Sequence, residues 1–114
     1  MNRELVMYTR TAGCPFVTIA KKVLHEHQIP YREIFTDQDM DARERLLDWV
    51  GFLSVPTLIV ADSGQILPYI EADYLDRGLS PRGINRGSMI TEPSASQLRA
   101  WLVQHEFLDA AALA

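Results

Sequence analysis

Cys14 is the single cysteine of the chain, in the run Thr11-Ala-Gly-Cys-Pro-Phe-Val-Thr-Ile-Ala-Lys-Lys-Val-Leu24. The chemistry of a thiol depends on its thiolate, which is the nucleophile in disulfide exchange. Gly13 before it reads as loop. Pro15 after it suits the first position of a helix, where its missing N–H costs nothing. Free N–H groups at a helix start point outward, and the helix dipole favours negative charge there. Such a position takes a cysteine from a pKa of about 8.5 down to about 3.5–7.5. A small buried filler is the alternative role of a lone cysteine; the flanking glycine, proline and helix start favour a functional thiol. Arg10, four residues earlier, adds positive potential or holds a carboxylate.

Histidines do not complete a cysteine–histidine pair. His25 lies along the same helix, about 16 Å away at roughly 1.5 Å per residue, and His27 is no nearer. His105 sits on another element, on an apolar stripe that reads as packing. Arg77, Arg82 and Arg86 share one glycine-containing loop and form either a cluster that binds an anion such as a carboxylate or a phosphate or, the favoured reading, a solvated loop. The helix start near Ser94 and Ser96 offers a place for a carboxylate. Asp37, Asp39 and Asp41 read as helix-capping acids rather than metal ligands. Trp49, Trp101 and Phe107 read as core. Phe16 is placed to sit beside Cys14 and pack on a ligand. No metal site is expected.

The elements that must position these residues follow from the pattern. Leu5 to Tyr8 is a short apolar strand, and Thr9 to Gly13 is a loop. A helix opens at Cys14-Pro15, with Phe16, Ile19, Ala20, Val23 and Leu24 on one face. It ends by Gln28-Ile29-Pro30. Tyr31 to Phe35 is a second strand. Asp41 to Glu44 reads as a capping box for a second helix with Leu46, Leu47 and Val50 inward, closed by Gly51. Thr57 to Ala61 is a central strand. Asp62-Ser63-Gly64 reads as a hairpin turn, and Ile66 to Ile70 as the returning strand, placed at an edge by Pro68. Residues 71–93 carry no period. Ser94 to Gln97 is a capping box for a last helix bearing Leu98, Trp101, Leu102, His105 and Leu108. The order predicts an α/β fold: a four-stranded mixed sheet flanked by three helices, with a right-handed crossover and a long loop before the last helix.

With 114 residues the chain reads as one domain, 1–114, able to bury a core without staples. One cysteine makes neither an internal disulfide nor a cysteine-rich zinc site. A net charge of −4 argues against nucleic-acid or anionic-membrane partners. No apolar run is long enough to span a bilayer, and no leader is visible, so a cytoplasmic location is expected.

The element order, with Met7-Tyr-Thr-Arg-Thr-Ala-Gly-Cys-Pro-Phe-Val17 after the first strand and Ser54-Val-Pro-Thr-Leu-Ile-Val60 at the third, resembles the glutaredoxin branch of the thioredoxin fold. Cys14-Pro15-Phe16-Val17 looks like the family's Cys-Pro-Tyr-Cys, and Ser54-Val55-Pro56-Thr57 like its Thr-Val-Pro segment. The likeness covers roughly residues 4 to 70 plus the final helix. It implies Cys14 as nucleophile, a cis peptide bond before Pro56, and a substrate site including Arg10, Pro15, Phe16, Val55 and Pro56. In that site Val55 offers its backbone to the bound peptide. It also implies glutathione as co-substrate with no resident cofactor, and a protein thiol or disulfide as the other partner. Three features depart from the family pattern. Val17 replaces the second cysteine, so any cycle is monothiol. The Gly-Gly-acidic segment before the last helix is missing. The 71–93 loop is longer than usual. Two further readings stand beside the redox enzyme: a glutathione-ligated iron–sulfur carrier, for which Pro15-Phe16-Val17 is a poor match, and a redox-silent binding module. An arsenate-reductase-like role also uses one cysteine on this fold, but Ser54-Val-Pro-Thr57 favours the glutaredoxin branch.

Overall fold

The computed structural model describes residues 2–113. Its elements are β1 (Arg3–Thr9), α1 (Pro15–Glu26), β2 (Tyr31–Phe35), α2 (Met40–Val50), β3 (Thr57–Asp62), β4 (Met89–Thr91) and α3 (Ala95–Gln104), followed by a 3-10 turn at Ala110–Leu113. The sheet order is β2-β1-β3-β4. β1 runs parallel to β2 and antiparallel to β3, and β3 runs antiparallel to β4. This is the predicted four-stranded mixed sheet with three helices.

Alternation along the central strands explains why both faces are covered. Leu5 and Met7 of β1 and Leu58 and Val60 of β3 point to one face, against Ala20, Val23 and Leu24 of α1 and Leu98, Trp101 and Leu102 of α3. Val6, Tyr8, Ile59 and Ala61 point to the other, against Ala42, Leu46 and Val50 of α2. Strands buried on both faces read as continuous apolar runs, which is the form of Leu5–Tyr8 and Leu58–Ala61. In α1, Val17 takes the inward position and Ile19 stays 36% exposed, so the apolar face is turned slightly from the predicted one. α2 starts two residues earlier than its sequence signature: the cap is Asp39, whose carboxylate accepts from the Ala42 N–H at 3.1 Å, rather than Asp41. Gly51 closes α2 at φ +84, a backbone state that glycine adopts without steric cost. The capping box of α3 forms in both directions between Ser94 and Gln97.

The returning strand is not Ile66–Ile70. The turn at Asp62–Gly64 forms, with the Gln65 N–H on the Asp62 carbonyl, but the chain then leaves the sheet. Two side chains on the α2 face of the sheet capture its carbonyls: Tyr8 donates its hydroxyl to Ile66, and Arg32 donates to Gln65. Pro68 has no N–H for a ladder. Only Tyr69 reaches back, from its N–H to the Val60 carbonyl (2.9 Å). The edge of β3 is instead filled by Met89–Thr91, with Thr57 opposite Thr91 and Ile59 opposite Met89. The segment between, 65–88, makes a long excursion. Its last part lies along the outer edge of β4 through Arg82 beside Thr91 and Asn85 beside Ile90. Burial raises the Tyr8 pKa despite the neighbouring Arg45, which favours the neutral phenol that donates to Ile66.

Arg86 fastens this excursion to α2. It is only 8% exposed. Its Nη1 donates to the Trp49 carbonyl (2.8 Å) in the last turn of α2, and its Nε donates to the Asp73 carbonyl (2.7 Å). The Asp73 N–H returns a bond to the Arg86 carbonyl (2.9 Å). The negative end of the α2 dipole suits a cation there. Truncation would strand buried carbonyls, which is more costly than losing a surface contact. Arg86→Ala should lower unfolding stability by about 2–4 kcal/mol, read as a reduced urea midpoint, and should make bonds within 65–88 the first cut by a protease.

Candidate functional site

The register of β1 with β3 places Tyr8 opposite Thr57. The loop after β1 and the loop before β3 therefore meet at one end of the sheet. The carbonyl of Thr9 is fixed by the Thr36 N–H (2.8 Å) and hydroxyl (2.9 Å). Residues 10–13 then arch outward. The Thr11 N–H sits 3.2 Å from both oxygens of Asp37, and its hydroxyl donates to the same carboxylate. These bonds, the hydroxyl's first, hold the Asp37 carboxyl below the usual carboxylate range.

Cys14 is the N-cap of α1, in extended conformation, and Pro15 is its first helical residue. The carbonyl of Cys14 accepts from the Thr18 N–H (3.0 Å) and hydroxyl (3.2 Å). Its thiol caps nothing in the helix, and the side chain is half-buried. Sγ lies 3.6 Å from the Val55 carbonyl, within reach of a thiol hydrogen bond. The Val55–Pro56 peptide bond is cis, and both residues are buried. Cys14, Pro15, Phe16, Val55 and Pro56 thus come together. Arg10 is exposed on the arch, and its guanidinium touches the Gly13 carbonyl at 3.5 Å.

Two residues complete the site that the sequence did not single out there. Glu92, between β4 and α3, donates its N–H to the Pro56 carbonyl (2.8 Å) and stands at φ +46, a left-handed conformation unusual for glutamate. Its carboxylate pairs with Arg82 at 3.2 Å. The Arg82 guanidinium in turn lies over the Phe16 ring, 4.6 Å from its centre. The contacts form a closed ring: Cys14 to Val55, Pro56 to Glu92, Glu92 to Arg82, Arg82 to Phe16, and Phe16 back along the helix to Cys14. A positive φ on glutamate and a stacking partner sixty-six residues away leave no local signal in the sequence.

The other candidates go elsewhere. Arg77, Arg82 and Arg86 do not form one anion site, because Arg86 is buried under α2 and Arg82 is stacked on Phe16. The Ser94 N–H and hydroxyl are used by Gln97. Asp37 holds the arch and Asp39 caps α2, and no metal-ligating cluster exists among the described residues. His25 meets Tyr31, and His27 meets Arg99. His105 packs edge-on to Trp101 and donates to the Gly87 carbonyl (2.7 Å), near Arg3 at the far end of β1. Trp101 is buried core with Phe107 partly buried against the same cluster, whereas Trp49 is partly buried on the opposite, α2 face of the sheet beside Tyr8.

A mixed sheet in this order, with a cysteine capping the first helix against a cis-proline loop, defines a thioredoxin-like thiol protein. The family model for glutaredoxin matches residues 5–64, and the chain belongs to that family. Comparison with curated proteins gave no match. The matched region stops at Gly64, where the 65–88 excursion begins.

Asp37 is the tether of the arch that carries Cys14. Its lowered pKa means the tether is intact above the ordinary carboxylate pKa, about 3.9, and is lost as pH falls through the lower folded value. Asp37→Ala should speed hydrogen exchange of the Thr11 amide at neutral pH. The wild type should reach the same fast exchange, corrected for intrinsic rate, only well below about pH 4.

Proposed function

We propose that this glutaredoxin-family protein is a monothiol thiol–disulfide oxidoreductase that acts through Cys14 on glutathione mixed disulfides. Family membership supports thiol–disulfide chemistry in general. The observation that carries the finer reading is the Cys14 sulfur, half-buried at the first turn of α1 and 3.6 Å from the Val55 carbonyl. The first-turn N–H groups of Phe16 and Val17 have no intrahelical acceptor.

The cycle follows from one sulfur. The Cys14 thiol loses its proton, and the thiolate attacks the glutathione sulfur of a mixed disulfide. The new Sγ–S bond forms as the old S–S bond breaks, and the substrate thiolate leaves and takes up a proton. A glutathione thiolate then attacks the glutathione sulfur held on Cys14, which frees Cys14 and releases oxidised glutathione. Val17, one turn on and buried, has no sulfur with which to resolve the intermediate. No resident cofactor is needed, and glutathione is the co-substrate. The backbone of Val55 beside the thiol suits an extended peptide, and Phe16 offers it an apolar wall. Among the described residues no helix is long and apolar enough to cross a membrane. We place the protein in the cytoplasm, where glutathione is reduced and abundant.

Incubation with oxidised glutathione followed by intact mass measurement tests this. The wild type should gain one glutathionyl group that reduced glutathione removes, and Cys14→Ser should gain none and reduce no mixed disulfide. A wild-type thiol that takes no adduct would overturn the reading in favour of a redox-silent binding module. The monothiol step has its own test. Val17→Cys should lose the adduct within the first turnover, releasing glutathione, and end as an internal disulfide, seen as a mass two hydrogen atoms below the reduced chain.

A further inference from the structure

We infer that Arg82, supplied by the 65–88 excursion, is a specificity-determining residue that selects disulfides carrying a carboxylate near the sulfur; this rests on the thiol-exchange reading of Cys14. Arg82 belongs to the ring of contacts around the thiol, through Phe16 on one side and Glu92 on the other. Its guanidinium is only partly used. Nη2 serves Glu92, the side chain is 59% exposed, and Nε and Nη1 have no acceptor among the described residues. Nη2 carries two hydrogens and gives one to Glu92, so one two-donor edge of the fork, Nη2 with a neighbouring nitrogen, stays open to a carboxylate, which is the geometry of bidentate capture. The Phe16 ring beneath it restricts the guanidinium to one plane, so less freedom is lost when a ligand arrives.

A purely structural role explains the arrangement poorly. An ion pair with one partner this exposed adds little stability. Glu92 nonetheless occupies a left-handed backbone position that costs a non-glycine residue free energy, and its side chain is only 12% exposed. In that conformation its carboxylate meets the arginine stacked on Phe16, two residues from Cys14. Glu92 holds Arg82 in place without neutralising its open edge. Arg82 also lies outside the region matched by the family model, residues 5–64.

The exchange step itself is unchanged. Cys14 thiolate forms a bond to one sulfur of the disulfide, the original S–S bond breaks, and the second half leaves as a thiolate that is then protonated. Arg82 acts by holding the carboxylate of the half that stays on Cys14.

The test is a ratio of rates. Adduct formation on Cys14 is timed by intact mass with oxidised glutathione, which is anionic, and with bis(2-hydroxyethyl) disulfide, which is neutral. The anionic-to-neutral ratio should fall about three- to tenfold in Arg82→Ala and further in Arg82→Glu. Arg82→Lys should retain part of it, since charge survives and the planar fork does not. In the wild type the ratio should shrink with added salt more than in Arg82→Ala. General damage to the thiol or the fold lowers both rates and leaves the ratio in place. A ratio that is the same in wild type, Arg82→Ala and Arg82→Glu overturns the assignment of Arg82 while leaving the thiol chemistry intact. A wild type that forms no adduct with either disulfide overturns both.

Discussion

β1 is hydrogen-bonded on both sides, and that double pairing decides where the thiol stands. Its parallel register with β2 puts Thr9 beside Phe35, and its antiparallel register with β3 puts Tyr8 opposite Thr57. The strand cannot slip by one residue without turning Leu5 and Met7 off one core and Val6 and Tyr8 off the other. With the register fixed, the chain leaving β1 and the chain entering β3 emerge side by side. Cys14 and Val55, forty-one residues apart, then have nowhere to be except against each other. The precision of the site is inherited from buried strands, which is why a loop-borne cysteine can be held to a single backbone carbonyl.

Some of this could be read from residues alone, and the reason is locality. Pro15 after Cys14 marks a helix start by its own covalent geometry, and the Ser94–Gln97 box writes both halves of its cap within four residues. Val55-Pro56 before an apolar strand is equally local. The failure at Ile66–Ile70 has the opposite cause. That run has strand composition, but its fate is set by Tyr8 and Arg32, two side chains from β1 and β2 that take its carbonyls. β4 is three residues long inside a stretch with no period, and only the unfilled edge of β3 makes it a strand. Asp39 won the cap of α2 from Asp41 because two acids in that loop could do the same job and the chain path chose between them. Arg82 was visible as a cation in a loop. Its stacking on Phe16 was not, because nothing in the sequence measures the route by which residues 65–88 return to the sheet.

The excursion uses two arginines in opposite ways. Arg86 is buried, ties Asp73 to the end of α2 and faces no carboxylate among the described salt bridges. Its donors meet main-chain carbonyls and the Met89 sulfur, and the Asp73 carboxylate acts on its charge from nearby without forming a salt bridge. Arg82, four residues earlier, is exposed and ion-paired. One fixes the path of the segment, and the other is carried by that path onto the Phe16 ring, two residues from Cys14. Gly83 between them lies against the Gln97 side chain at φ +73, so the turn that orients Arg82 is wedged on the start of α3.

The missing second cysteine gives this geometry its consequence. With a dithiol, the intermediate is resolved from within, and the second half of the cycle makes no demand on recognition. In the proposed cycle, with buried Val17 in that place, a mixed disulfide on Cys14 would wait for a thiol from solution. The bound half must then be held so that its sulfur stays exposed to that incoming thiol. Val55 contacts the thiol, Phe16 follows it in the helix, and Arg82, paired with Glu92, stacks on Phe16. On the monothiol reading, a fixed charge there acts twice, once when the disulfide docks and again when the second thiol approaches. The residue that sets which disulfide enters is therefore also placed to influence how fast it leaves.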